Sequence, residues 1–270
     1  VGEGVKSVAE LMRCDGRVAL IVGGAGHIGE AAADVCAELG ASVAIVDINE
    51  ARAESTAARL SVSGEARAIG LVADLASETA TRGVVDEVVR RFGRLDIVIH
   101  SAAFVGTTAF PGWAVPFAEQ SAAAFEAACR VNLTSAFVLA QQAAPHLTAS
   151  GGSIVFVSSI YGSVGPNLSL YAGTLMQNPL GYGASKAGLQ QLARGLATTL
   201  GPRVRVNTIS PGGVFRNQPD TFVDRYAERT PLGRMAREED LKGAFAYLVS
   251  DLSAYVTGHD LIVDGGWTAW

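Results

Sequence analysis

The strongest constraint on this chain is a change of hydrophobic period that repeats along its whole length. Short apolar, β-branched runs lie at 18–22, 43–47, 68–72, 97–100, 154–157, 204–209 and 261–263. Between them, apolar residues recur at helical spacing over 28–39, 50–60, 79–92, 121–147, 183–200 and 238–248. A run of four to seven residues bounded by turn formers reads as a strand, and a longer amphipathic stretch reads as a helix. Strand, helix, strand in this order predicts an α/β fold, a doubly wound parallel sheet of about seven strands with helices on both faces. No composition shift marks a linker, so residues 1–270 read as a single domain behind a surface leader at 1–15. Three connections are long, at 104–119, 160–181 and 211–237. All three follow strand carboxyl ends, where open α/β sheets bind ligands, and long loops in such a domain tend to be functional.

Composition narrows the classes of partner. Hydrophobic residues make up 49% of the chain and charged residues 17%, enough for a large core. The net charge is −5 and the basic residues are scattered, which argues against nucleic acid and acidic membranes. No apolar run reads as membrane-spanning. Cys14, Cys36 and Cys129 lack the spacing of a disulfide framework or a zinc site, so no metal is expected. The reading is a cytoplasmic protein in a reducing compartment.

The first strand leads into Gly23-Gly24-Ala25-Gly26-His27-Ile28-Gly29. Residues 24–29 satisfy G-x-G-x-x-G in its required strand-to-helix setting. Glycines allow a tight turn and close approach to a pyrophosphate, which the helix N-terminus then attracts. Alone, the pattern also describes a plain tight turn. Asp47 adds to it, ending the second strand where an acid takes the adenosine ribose hydroxyls. Its charge would repel a 2′-phosphate, and no Arg or Lys occurs between Gly23 and Gly29. The expected cofactor is therefore NAD (NAD+/NADH) rather than NADP.

The second constellation is Tyr182-Gly183-Ala184-Ser185-Lys186. Residues four apart share a helix face. A phenol titrates near 10 in water, about three units above neutrality, and a nearby ammonium lowers that. The pair builds a proton donor and acceptor. Tyr171 has Leu175 at the equivalent spacing and lacks the ammonium. Ser158-Ser159 end a buried strand, where a hydroxyl can bond a substrate oxygen or merely satisfy the backbone.

With these marks the chain resembles the short-chain dehydrogenase/reductase family from about Gly16 to Asp264. Further marks are Asp74-Leu75 after strand three, His100-Ser101-Ala102-Ala103 after strand four, Asn132 in a helix, Asn207 ahead of Pro211-Gly212, and Val263-Asp264-Gly265-Gly266. The resemblance implies a Rossmann-type fold and a catalytic set of Asn132, Ser159, Tyr182 and Lys186. Tyr182 would be the acid/base, and Lys186 would lower its pKa and hold the nicotinamide ribose. Ser159 would position the reacting oxygen, and Asn132 would kink its helix and support a proton relay. Cofactor contacts would come from Gly23, Gly26, His27, Ile28, Gly29, Asp47, Ile48, Asp74, Leu75, Ser101, Ala102, Ala103, Tyr182, Lys186, Pro211, Gly212 and Val214.

The chain also departs from the family pattern. Val22 replaces a threonine, and His27 stands among the glycines in a spacing shared with nucleotide-sugar-modifying members. His100 replaces an asparagine, and Arg216 stands where a threonine is usual. Against the epimerase and dehydratase branch, the C-terminal part is short and no Asp or Glu lies between Ser158 and Lys186. The reading is an oxidoreductase moving a hydride between NAD(H) and the secondary alcohol or ketone of a small polar molecule. An NAD-retaining epimerase or dehydratase and a non-catalytic dinucleotide-binding regulator are the alternatives. The long loops offer Tyr161, Asn167, Tyr171, Gln177, Asn178, Trp113, Asn217 and Gln218, a mixture suited to a sugar-like ring. They and the "DGGWTAW" ending also resemble a subgroup that modifies sugars of bacterial surface glycans or flagellin. By resemblance the protein is a homotetramer through the helices at 121–147 and 183–200. The terminal tryptophans would cover a neighbouring subunit's pocket or interface.

Overall fold

The computed structural model describes residues 5–63, 67–105 and 107–270. Seven strands form one parallel sheet: β1 (Val18–Val22), β2 (Ser42–Asp47), β3 (Ala68–Val72), β4 (Ile97–His100), β5 (Ser153–Val157), β6 (Arg205–Pro211) and β7 (Asp260–Val263). Their order is β3-β2-β1-β4-β5-β6-β7, and every neighbouring pair is parallel. The sequence therefore predicts all seven strands, with ends moved by one or two residues.

Alternation along each strand sends side chains to two cores. In β1, Ala19 and Ile21 enter the core on one face, and Val18, Leu20 and Val22 enter the other. The first core is closed by α2 (His27–Glu38), α3 (Glu50–Ser63) and α9 (Glu239–Val249). The second is closed by α4 (Glu78–Phe92), α6 (Ser135–Ser150) and α7 (Leu180–Leu200). Both faces of the central strands are thus dry, which is why they read as continuous apolar runs.

Four differences from the sequence reading have local causes. Residues of the expected leader form α1 (Val8–Met12), started by a capping box between Ser7 and Glu10. The loop after β6 contains α8 (Asp220–Arg229), whose apolar positions Phe222 and Tyr226 are buried under a third cluster. The helix expected at 121–147 is α5 (Ala122–Cys129), a π-turn (Arg130–Thr134) and α6. Taken together, Ala122–Ser150 is long and apolar enough to cross a bilayer, contrary to the sequence reading. One face packs inward, with Ala136, Leu139, Ala140, Ala143 and Leu147 buried against the sheet, while Phe125 and Phe137 are exposed on another.

The sheet order explains the site. β1 leads to β2 on one side, while the chain returns from β3 to β4 on the other. The crevice above the carboxyl ends of β1 and β4 is the switch point of such a sheet. Because all strands are parallel, the loops after β4, β5 and β6 rise from this same edge.

Candidate active site

The turn after β1 is built by backbone crowding. Gly23 has φ +69°, and a Cβ there would lie 2.5 Å from the Ala102 nitrogen beyond β4. A Cβ on Gly29 would lie 2.1 Å from the Gly23 carbonyl oxygen. Only glycine serves at both positions. Gly26 caps α2 and supplies no side-chain bond to its first turn. The leading amides of a twelve-residue helix thus face the crevice without a side-chain cap. At the edge of the crevice, half-buried Asp47 ends β2 with its Oδ1 accepting only from the Asn49 amide, at 3.1 Å. Ile48 beside it is exposed. Asp74 is exposed and Leu75 buried after β3. These donors, the cramped glycines and the acid at the β2 end fit an adenine dinucleotide. Arg52 reaches into this corner, bonding the Ala25 carbonyl of the glycine turn and lying 3.8 Å from Glu30.

At the other end of the crevice, Ser159 follows β5 and Tyr182 and Lys186 lie in the first turns of α7. The Ser159 hydroxyl neighbours the Tyr182 phenol and works to lower its pKa. The Lys186 ammonium donates to the Val157 carbonyl at 2.7 Å and sits 5.7 Å from the centre of the Tyr182 ring. Ser158 takes a separate part, donating to the Lys186 carbonyl at 2.9 Å and tying β5 to α7. Burial raises the Tyr182 pKa, and the Ser159 hydroxyl and the Arg216 guanidinium oppose it. Burial alone lowers Lys186 to about 7. The expected lowering of the phenol by Lys186 is not met here. The ammonium points to a carbonyl and the ring face, and desolvation dominates both groups.

Asn132 lies in the π-turn and is fully buried. Its Oδ1 accepts from the Phe104 amide at 2.6 Å. Its Nδ2 donates to Ser185 Oγ at 2.9 Å, and Ser185 donates to the Tyr182 carbonyl at 2.8 Å. Asn132 thus reaches the catalytic helix through Ser185, a link that sequence spacing does not reveal. Gln190 forms a second hidden support. Its Nε2 faces the Ser159 carbonyl, Ser163, Ser210 and Asp260, all within 3.4 Å, behind the Ser159 turn.

His100, in place of the family asparagine, is fully buried. Ser135 Oγ donates to the Val131 carbonyl, so the 2.7 Å contact with His100 Nε2 makes that nitrogen the donor. Its Nδ1 has no partner among the described residues. Burial, helped by Lys186, lowers its pKa to about 3, so the ring stays neutral.

The loops above the site pack on one another. Tyr161 and Tyr171 hydroxyls lie 3.2 Å apart, and Asn178 Nδ2 donates to Tyr171 at 3.0 Å. Tyr171 also raises the Tyr182 pKa. Trp113, expected on the pocket wall, is buried under the loop after β4 with its Nε1 bonded to Val105, and Tyr182 packs against its cluster. Trp267 stacks on Tyr226 of the same chain at 6.0 Å, while Trp270 is exposed. Gly212 bonds Val263, and Val214 bridges Ala236, holding the end of β6 against β7 and α9. Ser101, Ala102, Ala103 and Pro211 line up on the same edge, while His27 and Ile28 open α2.

Comparison with known proteins agrees with this arrangement. A family model described as enoyl-(acyl carrier protein) reductase matches residues 23–268. The chain is 35% identical to cis-4-hydroxycyclohexanecarboxylate dehydrogenase of Sinomonas cyclohexanicum, covering 94% of this chain and 97% of that protein. It is 34% identical to L-rhamnose 1-dehydrogenase (NAD(P)(+)) of a Sphingomonas species, covering 93% and 96%. The crystal structure of NADPH-dependent 3-quinuclidinone reductase from Rhodotorula rubra superposes with a TM-score of 0.87 at 30% identity, covering 100% and 98%.

Proposed function

The chain belongs to the short-chain dehydrogenase/reductase family, and from that premise we propose that it oxidises a secondary alcohol, or reduces the matching ketone, of a polar ring compound with NAD(H). The observation that carries this reading is the convergence of Ser159, Tyr182 and the buried Lys186 where β5 meets α7. Such a pair of hydroxyls can hold one substrate oxygen while one of them exchanges a proton with it. The related proteins act, by their names, on a hydroxycyclohexane and on a sugar. Both are ring alcohols, which supports the same class here.

In the oxidative direction the Ser159 hydroxyl would donate to the substrate oxygen, and the substrate hydroxyl would donate to Tyr182, which in its ionised form would take the proton. Lys186, with a pKa near 7, is poised to hold or release a proton beside that phenol. Asn132 acts as a positioning residue, fixing the Tyr182 turn through Ser185. The bound dinucleotide supplies the hydride acceptor or donor. The chain holds it with the glycine turn, Asp47 and Asp74, and Asp47 supports NAD over NADP because it would face a 2′-phosphate with like charge. The whole chain acts as one catalytic domain on this reading. Its homotetramer reading is supported by an apolar groove between the π-turn, α6 and α7, lined by Leu133, Phe137, Leu192 and Leu196, with small Gly188 and Gly195 allowing close approach.

The test is reduction of NAD+ and NADP+ at a panel of cyclic alcohols, polyols and sugars. The expected result is turnover with NAD+ that Tyr182→Phe abolishes while NADH still binds. Turnover surviving Tyr182→Phe would sink the assignment. NAD retained through purification, with no net reduction on any alcohol, would favour an epimerase.

A further inference from the structure

One carboxylate stands between two basic side chains at the mouth of the glycine turn. His27, the first residue of α2, places Nδ1 3.6 Å from Glu238 Oε1. Arg216, on the loop after β6, places Nε 3.4 Å from the same oxygen. The two bases come from opposite walls of the crevice, one from the turn after β1 and one from the substrate side. Only Nε of the guanidinium is engaged: Nη1 and Nη2 have no hydrogen-bond partner among the described residues. The arginine is nevertheless held in position. Its amide donates to Gln218 Oε1 at 2.6 Å, and Asn217 turns the chain with a left-handed φ of 57°. The side chains of Arg216 and Glu238 are each about a third exposed, so their pair is screened and easily exchanged.

We propose that Glu238 is an internal stand-in for the cofactor diphosphate, holding Arg216 and His27 until the dinucleotide arrives, and that Arg216 then exchanges this carboxylate for the diphosphate. The inference rests on the reading that a dinucleotide binds at the glycine turn. A planar guanidinium with two open prongs suits an anion with several oxygens better than one shared carboxylate oxygen. The exchange joins the turn after β1 to the loop after β6. Binding at one wall would therefore reposition Arg216 relative to Tyr182, whose ionised form its charge already favours.

The test uses binding rather than turnover. Dissociation constants for NADH and for ADP-ribose would be measured by calorimetry on the wild-type chain and on Arg216→Ala, Arg216→Lys and Glu238→Gln. Circular dichroism would check that each variant is folded. Loss of a charge-assisted bond predicts weakening of both ligands by about tenfold or more in Arg216→Ala, partly restored in Arg216→Lys. Glu238→Gln is expected to tighten both, because the competing anion is gone. If Arg216→Ala weakens NADH and leaves ADP-ribose unchanged, the arginine serves the nicotinamide and the proposal fails. It fails equally if neither ligand responds, the result expected of a substrate-facing arginine, or if Glu238→Gln does not tighten binding. A wild-type chain that binds neither ligand overturns the dinucleotide reading itself, a distinct outcome.

Discussion

The Lys186 ammonium lies 5.7 Å from the centre of the Tyr182 ring, and its one hydrogen bond among the described residues runs 2.7 Å to the Val157 carbonyl. No carboxylate neutralises it, and burial brings its pKa down from 10.5 to about 7. A buried cation without a counter-ion destabilises the fold that holds it. The catalytic set is thus kept at a cost in stability.

That cost has a pH signature. Between about pH 7 and 10.5 the unfolded chain carries a proton at this position that the folded chain does not. Stability from this group therefore rises with pH across that window, and the penalty is complete below pH 7. Lys186→Met should melt above the wild type at pH 6, by a few degrees on the scale of about 2–4 °C per kcal/mol. The gain should shrink steadily toward pH 10. Thermal melts of both proteins across pH 6–10 check this, and a pH-independent difference would contradict it.

Asn132 predicts the opposite sign. Removing its amide strands the N–H of half-buried Phe104 and deprives fully buried Ser185 of its donor. An unsatisfied buried group costs about 1–3 kcal/mol, so Asn132→Ala should lower the melting temperature by several degrees. Because Ser185 bonds the Tyr182 carbonyl, kcat should fall with little change in the dissociation constant for NADH. Denaturant titration with steady-state kinetics measures both. Unchanged kcat in a destabilised variant would reduce Asn132 to a structural residue.

The contrast between Lys186 and Asn132 shows what a sequence exposes. The four-residue interval from Tyr182 to Lys186 is visible because helix geometry turns spacing into proximity. The central strands β1, β4 and β5 are equally visible, since each buries both faces. The Ser185 bridge was not, because it joins α7 to a π-turn across 53 residues. Neither was the direction of the Tyr182 shift, which depends on how far Trp113, Tyr171 and the loop after β5 bury the phenol. Asp220–Arg229 looked like loop because only two of its ten residues, Phe222 and Tyr226, are buried. Arg216 and Glu238 are 22 residues apart, and nothing in their spacing announces a shared oxygen with His27.

Asp47 gives a cofactor prediction. Its carboxylate accepts from the Asn49 amide, and Arg52, on the adjacent turn, is already bonded to the Ala25 carbonyl and lies 3.8 Å from Glu30. Asp47→Asn should lower kcat/KM for NAD+ and raise it for NADP+, moving their ratio by at least about tenfold, the equivalent of 1.4 kcal/mol. Kinetics with each cofactor at one fixed alcohol measure the ratio. A ratio unmoved by the substitution would remove Asp47 from the ribose site.

The hydroxyl of Tyr171 makes the most specific claim about substrate. It accepts from Asn178, meets the Tyr161 hydroxyl and raises the Tyr182 pKa. Its ring packs on Phe222 at 5.3 Å, so the ring can stay in place when the oxygen is removed. Tyr171→Phe would leave the Asn178 amide and the Tyr161 hydroxyl without that shared partner. A site built to bond a hydroxyl discriminates strongly once such a partner is lost. The variant should therefore raise KM for polyols and sugars by about fivefold or more, on the order of 1 kcal/mol. For a plain cyclic alcohol, KM should change little, and kcat should hold for both, because Ser159, Tyr182 and Lys186 are untouched. Equal effects on both substrates would mean that the three-residue chain supports the loop and does not read the substrate. A loss confined to kcat would instead place Tyr171 in the proton path of Tyr182.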